Sequence, residues 1–301
     1  VGQYSRINQT KNRIITYKWN MNKEKYLSQD IIKDFTEWVS PKISEKNKFN
    51  HKYYNAKTRT IWECDSIYNA YENYEWQFNC SIPNLGKIKG KTYLESKSAL
   101  ETIQKGLKKS IVENDSVKSL KYSISILEWG GVTRSNSDKL KLMGKEILIY
   151  YKNSMKILNP EKVNLNNDFS EIIMNSGFTK IYSLLVDNFV IYDSRVGAAL
   201  GLLIKEFLTE KHILKIPNEL NFAYGNARPS KGDDSNQNKR NPSTDIYKFS
   251  ALRNNDKHHT INNLKANWLL KEIADKSKFD QEETPIRSLE AALFMIGYSV
   301  N

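Results

Sequence analysis

The segment from Gly177 to Leu208 constrains the fold of this chain more than any other stretch of its sequence. It reads GFTKIYSLLVDNFVIYDSRVGAALGLLIKEFL, with apolar residues at three- and four-residue spacing before and after a short apolar run. This spacing predicts two helices. Gly177 suits the left-handed conformation in which many helices end, and Thr179 can cap the next helix, so a tight helical hairpin is expected. Asp193 follows the apolar run and stands at the N-cap of the second, buried helix.

The remainder of the chain repeats this helical spacing and has few alternating apolar runs, which predicts a mainly α protein. The predicted helices cover residues 27–39, 66–78, 93–112, 116–129, 135–154, 169–175, 180–186, 194–209, 260–276 and 285–296. A segment with Pro and Gly at 81–90 predicts a boundary between an aromatic-rich N-terminal lobe, 1–90, and a helical region, 91–301.

Composition restricts the classes of function. The 301 residues have 46 Lys and Arg against 34 Asp and Glu, a net charge of +12 that favours polyanionic partners such as nucleic acid. The two cysteines are too few for a disulfide framework or a four-cysteine cluster. No apolar run is long enough to span a bilayer, and His258 and His259 have no further ligands at metal-site spacing. The expectation is a soluble, cytoplasmic monomer without metal, cofactor or membrane contact.

Two segments carry side chains suited to nucleic acid. Residues 53–78 contain eight aromatics among basic residues, which would either stack on exposed bases or pack in the core. Between Gly225 and His259 lies a long polar stretch that would either be mobile or contact phosphates. Its candidate phosphate contacts are Arg228, Lys239 and Arg240.

Asp193 has two interpretations from its position alone. As an N-cap, its carboxylate accepts hydrogen bonds from backbone N–H groups and stabilises the helix. Those N–H groups also lower the pKa of the carboxyl, and an ionised carboxylate can stabilise a positively charged sugar during cleavage of a glycosidic bond. The residue types leave both interpretations open.

The segment 177–208 resembles the helix-hairpin-helix DNA glycosylase superfamily in three features. These are a hairpin with Gly, a helix that begins near a Lys, and an apolar run that ends in Asp ahead of an Ala-rich helix. The match is to the branch of bacterial proteins with the 8-oxoguanine glycosylase fold, and it extends over about residues 120–298. Further blocks resemble that branch in the same order: the Trp129–Gly130–Gly131 turn, residues 189–199, Asn267–Trp268, and the closing helix at 289–297.

The resemblance implies two lobes around a pocket that receives one base flipped out of double-stranded DNA. It implies that Asp193 stabilises the sugar cation and that Lys180 attacks the sugar C1′. Without that attack, Lys180 would be a phosphate contact or a surface lysine, and water would be the nucleophile. Trp268 and Trp129 would stack on the base or pack in the core, and Asn267 would hydrogen-bond the base edge. Gly177, Thr179 and Arg195 are expected to contact DNA.

The target base stays open at this point. An 8-oxoguanine-like lesion is one candidate, and a modified base of phage DNA such as glucosylated hydroxymethylcytosine is another, since the aromatic-rich region would frame a larger pocket. Two other functions are considered. The chain could be a non-catalytic nucleic-acid-binding protein of the same fold, or a metal-dependent nuclease in which Glu95-Ser96-Lys97 forms part of the active site.

Overall fold

The computed structural model describes residues 21–55, 58–226, 239–252 and 254–300. Within these residues the protein is mainly helical, as the apolar spacing predicts. The α-helices, numbered in chain order, are α1 Lys23–Leu27, α2 Asp30–Lys42, α3 Ile67–Glu72, α4 Tyr93–Val112, α5 Ser116–Trp129, α6 Arg134–Met143, α7 Ile147–Ile157, α8 Phe178–Leu185, α9 Ser194–Glu210, α10 Asp256–Asp275 and α11 Pro285–Ile296. Short 3-10 turns lie at Gly144–Glu146 and Lys278–Gln281.

Two antiparallel hairpins interrupt the helical pattern and were not predicted. Strand β1, His51–Asn55, pairs with β2, Thr60–Cys64, and β3, Phe78–Ile82, pairs with β4, Gly86–Gly90. Strand β3 buries alternate residues and packs against α5. The predicted helix over 66–78 was therefore wrong in its second half, because the chain leaves α3 at Glu72 and enters β3 at Phe78.

Two other predicted helices also differ from the structure. The helix expected over 135–154 is broken where Gly144 adopts a positive φ of 53°. Residues 169–175 form turns instead of a helix. Side chains account for this, because the Asp168 carboxylate accepts from the Ser170 N–H and the Tyr150 hydroxyl accepts from the Ile173 N–H. These backbone donors are thereby withdrawn from a helical pattern.

The hydrophobic core is continuous from Tyr26 to Val300. Helix α9 packs against α2 and α11, and α10 packs against α1, α2 and α11. Helix α3 also packs on α11, so the core includes residues from both sides of the lobe boundary predicted at residue 90. The start of α9 therefore lies well inside the protein. None of the described helices has the length and apolar character needed to cross a membrane.

Candidate functional site

Asp193 is the N-cap of α9, as predicted from the sequence. Its backbone is extended, with φ −110° and ψ −173°, and one carboxylate oxygen accepts from the N–H groups of Arg195 at 2.9 Å and Val196 at 3.4 Å. Only 8% of the residue is exposed. A capping carboxylate usually faces water, so the burial of Asp193 requires a further explanation.

The second carboxylate oxygen of Asp193 faces Lys180. The Lys180 Nζ lies 3.4 Å from Asp193 Oδ2 and donates to the Ser176 carbonyl at 2.8 Å. The two side chains are 5% and 11% exposed, so the pair is buried. The possibility that Lys180 is a surface lysine was therefore wrong. The fold brings together the two residues to which the resemblance assigns catalysis.

Positive charge keeps the buried carboxyl ionised. Burial by itself would raise the pKa of Asp193, but the charges of Lys180 and Arg195, the Arg195 N–H bond and the charge of Arg240 together lower it below its usual value. A buried carboxylate is normally costly unless it is paired and hydrogen-bonded. Asp193 meets both conditions and retains a negative charge near neutral pH.

A glycine makes room for the lysine. A Cβ atom on Gly130 would lie 2.5 Å from Cδ and 2.7 Å from Cε of Lys180, so any side chain there would force Lys180 to shift. The aliphatic chain of Lys180 therefore passes directly over Gly130 at the end of α5. The Trp-Gly-Gly turn, noted in the sequence only as part of a resemblance, has this steric role in the structure.

Side chains from three helices hold the backbone of the apolar run that leads to Asp193. The Val190 N–H donates to Asn267 at 2.8 Å, the Ile191 N–H to Glu290 at 2.6 Å, and the Tyr192 N–H to Thr179 at 3.0 Å. The imidazole Nε2 of His259 lies 2.7 Å from the Tyr192 carbonyl oxygen. A segment fixed at successive backbone groups positions Asp193 rigidly.

Glu290 is itself paired with Arg287, whose Nη1 lies 2.7 Å from both carboxylate oxygens. Burial raises the pKa of Glu290, and the charge of Arg287 opposes that rise. The Arg287 Nη2 also donates to the Ser183 and Phe189 carbonyls at 3.3 Å. Sequence reasoning missed this pair, although a Glu inside the apolar helix sequence LEAALFMI was a usable signal.

A small cavity of about 40 Å³ adjoins the Lys180–Asp193 pair. Tyr74, Tyr93, Trp129 and Phe294 supply its aromatic lining, and Arg287 and Glu290 also border it. Trp129 in addition borders an open groove of about 720 Å³ that contains Trp76, Lys89 and Lys91. The cavity and the groove thus meet at one tryptophan. Among the eight aromatics of residues 53–78, Tyr74 alone lines the cavity.

Two residues expected in a base pocket lie elsewhere. Trp268 is 1% exposed, its Nε1 donates to the Pro160 carbonyl at 2.8 Å, and its ring packs on Tyr26. The Asn267 side chain accepts from the Val190 N–H, which makes it a support for the run before Asp193. Neither residue lines the cavity beside Asp193. Their helical spacing fitted a core position equally well, and the structure places both in the core.

The hairpin residues also differ from expectation. Gly177 has φ −88°, outside the left-handed region; its missing side chain instead leaves space for Asn136. Thr179 lies inside α8, and its hydroxyl donates to Asn263 at 2.7 Å. The N–H groups of Gly177 and Phe178 donate to the side chain of Asn175, which takes the capping role predicted for Thr179. Because Thr179 is fully buried, it is unavailable for contact with DNA in this conformation.

The basic residues predicted to contact DNA gather around the start of α9. The guanidinium of Arg195 lies 4.2 Å from the Phe294 ring centroid and 4.9 Å from that of Tyr298. The Lys239 Nζ lies 4.3 Å from the same Tyr298 ring, and Arg240 donates to the Ser194 hydroxyl at 2.6 Å. Arg228 lies outside the described residues. This cluster adds positive charge near Asp193.

The proposed nuclease residues form a helix cap. The Glu95 carboxylate accepts from the N–H groups of Lys91 and Thr92, and these bonds lower its pKa to about 2. Lys97 forms an ion pair with Glu283. These residues belong to the first turn of α4, whereas the nuclease motif requires a strand. Among the residues that the structure describes, no group of three or more His, Cys, Asp and Glu side chains is placed to hold a metal ion.

Comparison with models of protein families, with curated proteins and with solved structures gave no match to this chain.

Proposed function

We propose that this protein is a DNA glycosylase, which flips a damaged or modified base out of the duplex and cleaves its N-glycosidic bond. One observation carries the proposal: an ionised Asp193 and Lys180 are buried together beside an aromatic cavity, at the start of a helix. A buried ion pair is seldom retained for stability alone, because the desolvation of both charges offsets much of their attraction.

Asp193 supplies the electrostatic part of this chemistry. When the bond between C1′ and the base nitrogen breaks, its electron pair leaves with the base and positive charge develops on the sugar. A fixed carboxylate next to that position stabilises the charge without any reorganisation of solvent. Two backbone N–H groups and the support of the preceding run hold Asp193 in one orientation.

Lys180 provides a nucleophile in the same cavity. After losing a proton to the departing base, its Nζ can form a bond to C1′ as the bond from C1′ to the base nitrogen breaks. Opening of the C1′–O4′ bond, with a proton passing from the nitrogen to O4′, then gives a Schiff base. In the alternative, water attacks C1′ and Lys180 serves as the counterion of Asp193. Borohydride reduction separates the two routes, since it traps a covalent enzyme–DNA adduct only in the first. An adduct that persists in Lys180→Ala would exclude Lys180 as the nucleophile.

Access to the cavity requires movement of its lining. At about 40 Å³ the cavity has room for water but not for a base, so a base fits only after lining side chains are displaced. The neighbouring groove leads to Trp129 and contains Lys89 and Lys91, which can neutralise phosphates. We assign the path of the flipped nucleotide to this groove. The net charge of +12 also favours DNA binding, because it attracts the negatively charged phosphate backbone.

The decisive experiment uses purified protein and a panel of DNAs: an 8-oxoguanine duplex, phage genomes with glucosylated or unglucosylated hydroxymethylcytosine, and unmodified DNA. Abasic sites are scored with an aldehyde-reactive probe. The proposal expects abasic sites in at least one modified DNA and none in unmodified DNA. DNA binding without abasic sites on any member would favour the non-catalytic alternative. Nicking that depends on Mg²⁺ and ignores base identity would favour the nuclease.

A further inference from the structure

Trp129 has a buried hydrogen-bond donor without an acceptor. The residue is 6% exposed, and its indole Nε1 has no hydrogen-bond partner among the residues that the structure describes. Its backbone carbonyl is engaged, accepting from the Trp76 Nε1 at 2.9 Å. Buried indole N–H groups normally find a partner, because leaving one unpaired is destabilising.

Two other tryptophans follow the usual pattern, whereas the Trp38 Nε1, which like Trp129 has no acceptor among the described residues, borders a separate groove away from Asp193. The Nε1 atoms of Trp62 and Trp268 donate to the carbonyls of Asn73 and Pro160, each at 2.8 Å. Trp129 differs in its location, since it borders both the cavity beside Asp193 and the open groove. The Nε1 atom itself is buried, so it becomes available when the lining of the cavity moves to admit a base, and an unpaired donor on this residue is then suited to an acceptor on that ligand.

We propose that the Trp129 N–H hydrogen-bonds an acceptor atom of the extruded base, an inference that rests on the proposed glycosylase function. The acceptor is a carbonyl oxygen or an unprotonated ring nitrogen, so the substrate class is a base that presents such an atom towards Trp129. The Trp129 ring already packs against Trp76 and Phe78. The structure therefore assigns recognition to the indole N–H, in place of the stacking role considered from the sequence.

The energetic signature of this role differs from that of a core tryptophan. Losing the Trp129 N–H removes no hydrogen bond from the free protein, so the folded state keeps its stability. In the complex, the same loss leaves the acceptor of the base unpaired inside a site that excludes water. Catalysis should therefore suffer while the melting temperature does not.

The test replaces Trp129 in two ways. Trp129→Phe removes the donor, and site-specific incorporation of 3-benzothienylalanine exchanges the N–H for sulfur with almost the same shape, so that a packing defect can be recognised. Each variant is assayed on the DNA that the wild-type protein processes in the panel above. Both should lower kcat/KM by roughly 10- to 100-fold, with the melting temperature of the sulfur variant unchanged. The control Trp268→Phe should lower the melting temperature and leave kcat/KM of the folded enzyme unchanged.

Nuclear magnetic resonance gives a readout that needs no turnover. In Asp193→Asn labelled with ¹⁵N-tryptophan, binding of the same DNA should move the Trp129 indole proton downfield and leave that of Trp268 in place. Wild-type kcat/KM in the sulfur variant, or a Trp129 resonance that DNA does not move, overturns the assignment to Trp129. The absence of base excision by the wild-type protein on every DNA instead overturns the proposed function, so the two failures are distinguishable.

Discussion

Replacing Asp193 by Asn isolates the charge of the carboxylate from its role as a cap. The Asn side-chain oxygen can still accept from the N–H groups of Arg195 and Val196, so α9 keeps its N-cap. The negative charge 3.4 Å from the Lys180 Nζ is lost, and Lys180 stays buried without a counterion. Breaking a buried ion pair costs about 3–5 kcal/mol. We expect about 3 kcal/mol, because Lys180 keeps its bond to the Ser176 carbonyl.

The catalytic effect should be larger than this loss of stability explains. Removing one preorganised electrostatic group typically lowers kcat by about 10²- to 10³-fold. Single-turnover abasic-site formation measures this effect, at a temperature where circular dichroism shows the variant folded. DNA affinity at low salt should change little, because the groove lysines assigned to phosphate, Lys89 and Lys91, are unchanged.

Asp187→Asn is the matched control for this experiment. The Asp187 side chain is 87% exposed and pairs with Lys108 at the surface, so its substitution should alter neither stability nor excision measurably. Excision by folded Asp193→Asn at the wild-type rate would refute the electrostatic role, and Asp193 would then be a structural cap.

Three further predictions concern single residues. Gly130→Ala should displace Lys180 from Asp193 and lower the rate of excision or of borohydride trapping at least tenfold. Unchanged rates would show that the close packing of Lys180 on Gly130 is not needed for activity. Burial lowers the pKa of His259 below its usual value of 6.5. Below that pH the unfolded chain binds more protons than the folded protein, so the folded state loses stability. The melting temperature of the wild type should therefore fall between about pH 7.5 and about pH 5.5, and that of His259→Gln should fall less. Burial also lowers the pKa of Lys265 from 10.5 to about 8, which by itself makes stability rise with pH between these values. Burial raises the pKa of the Cys64 and Cys80 thiols and acts in the opposite direction, so we expect a difference between two proteins: the urea midpoint of the wild type relative to that of Lys265→Met should rise with pH over this range.

Several features of this protein could be predicted from local sequence. The bounds of α4, α5 and α11 agree with their predicted ranges, and Asp193 caps α9 as expected. Such features depend on hydrogen bonds between residues three or four positions apart and on the apolar periodicity of one helix. The information is present in a short window of residues, whatever the rest of the chain does.

The grouping around Asp193 was decided by tertiary structure. Lys180 and Gly130 meet because α8 crosses the end of α5, and Glu290 reaches Ile191 across 99 positions of sequence. Spacing alone could not distinguish Trp129, at the cavity, from Trp268, in the core, since both lie on helices with apolar neighbours. The hairpins β1–β2 and β3–β4 were missed because a short strand is stabilised by its partner strand and the helix beneath it, and neither is visible in local periodicity.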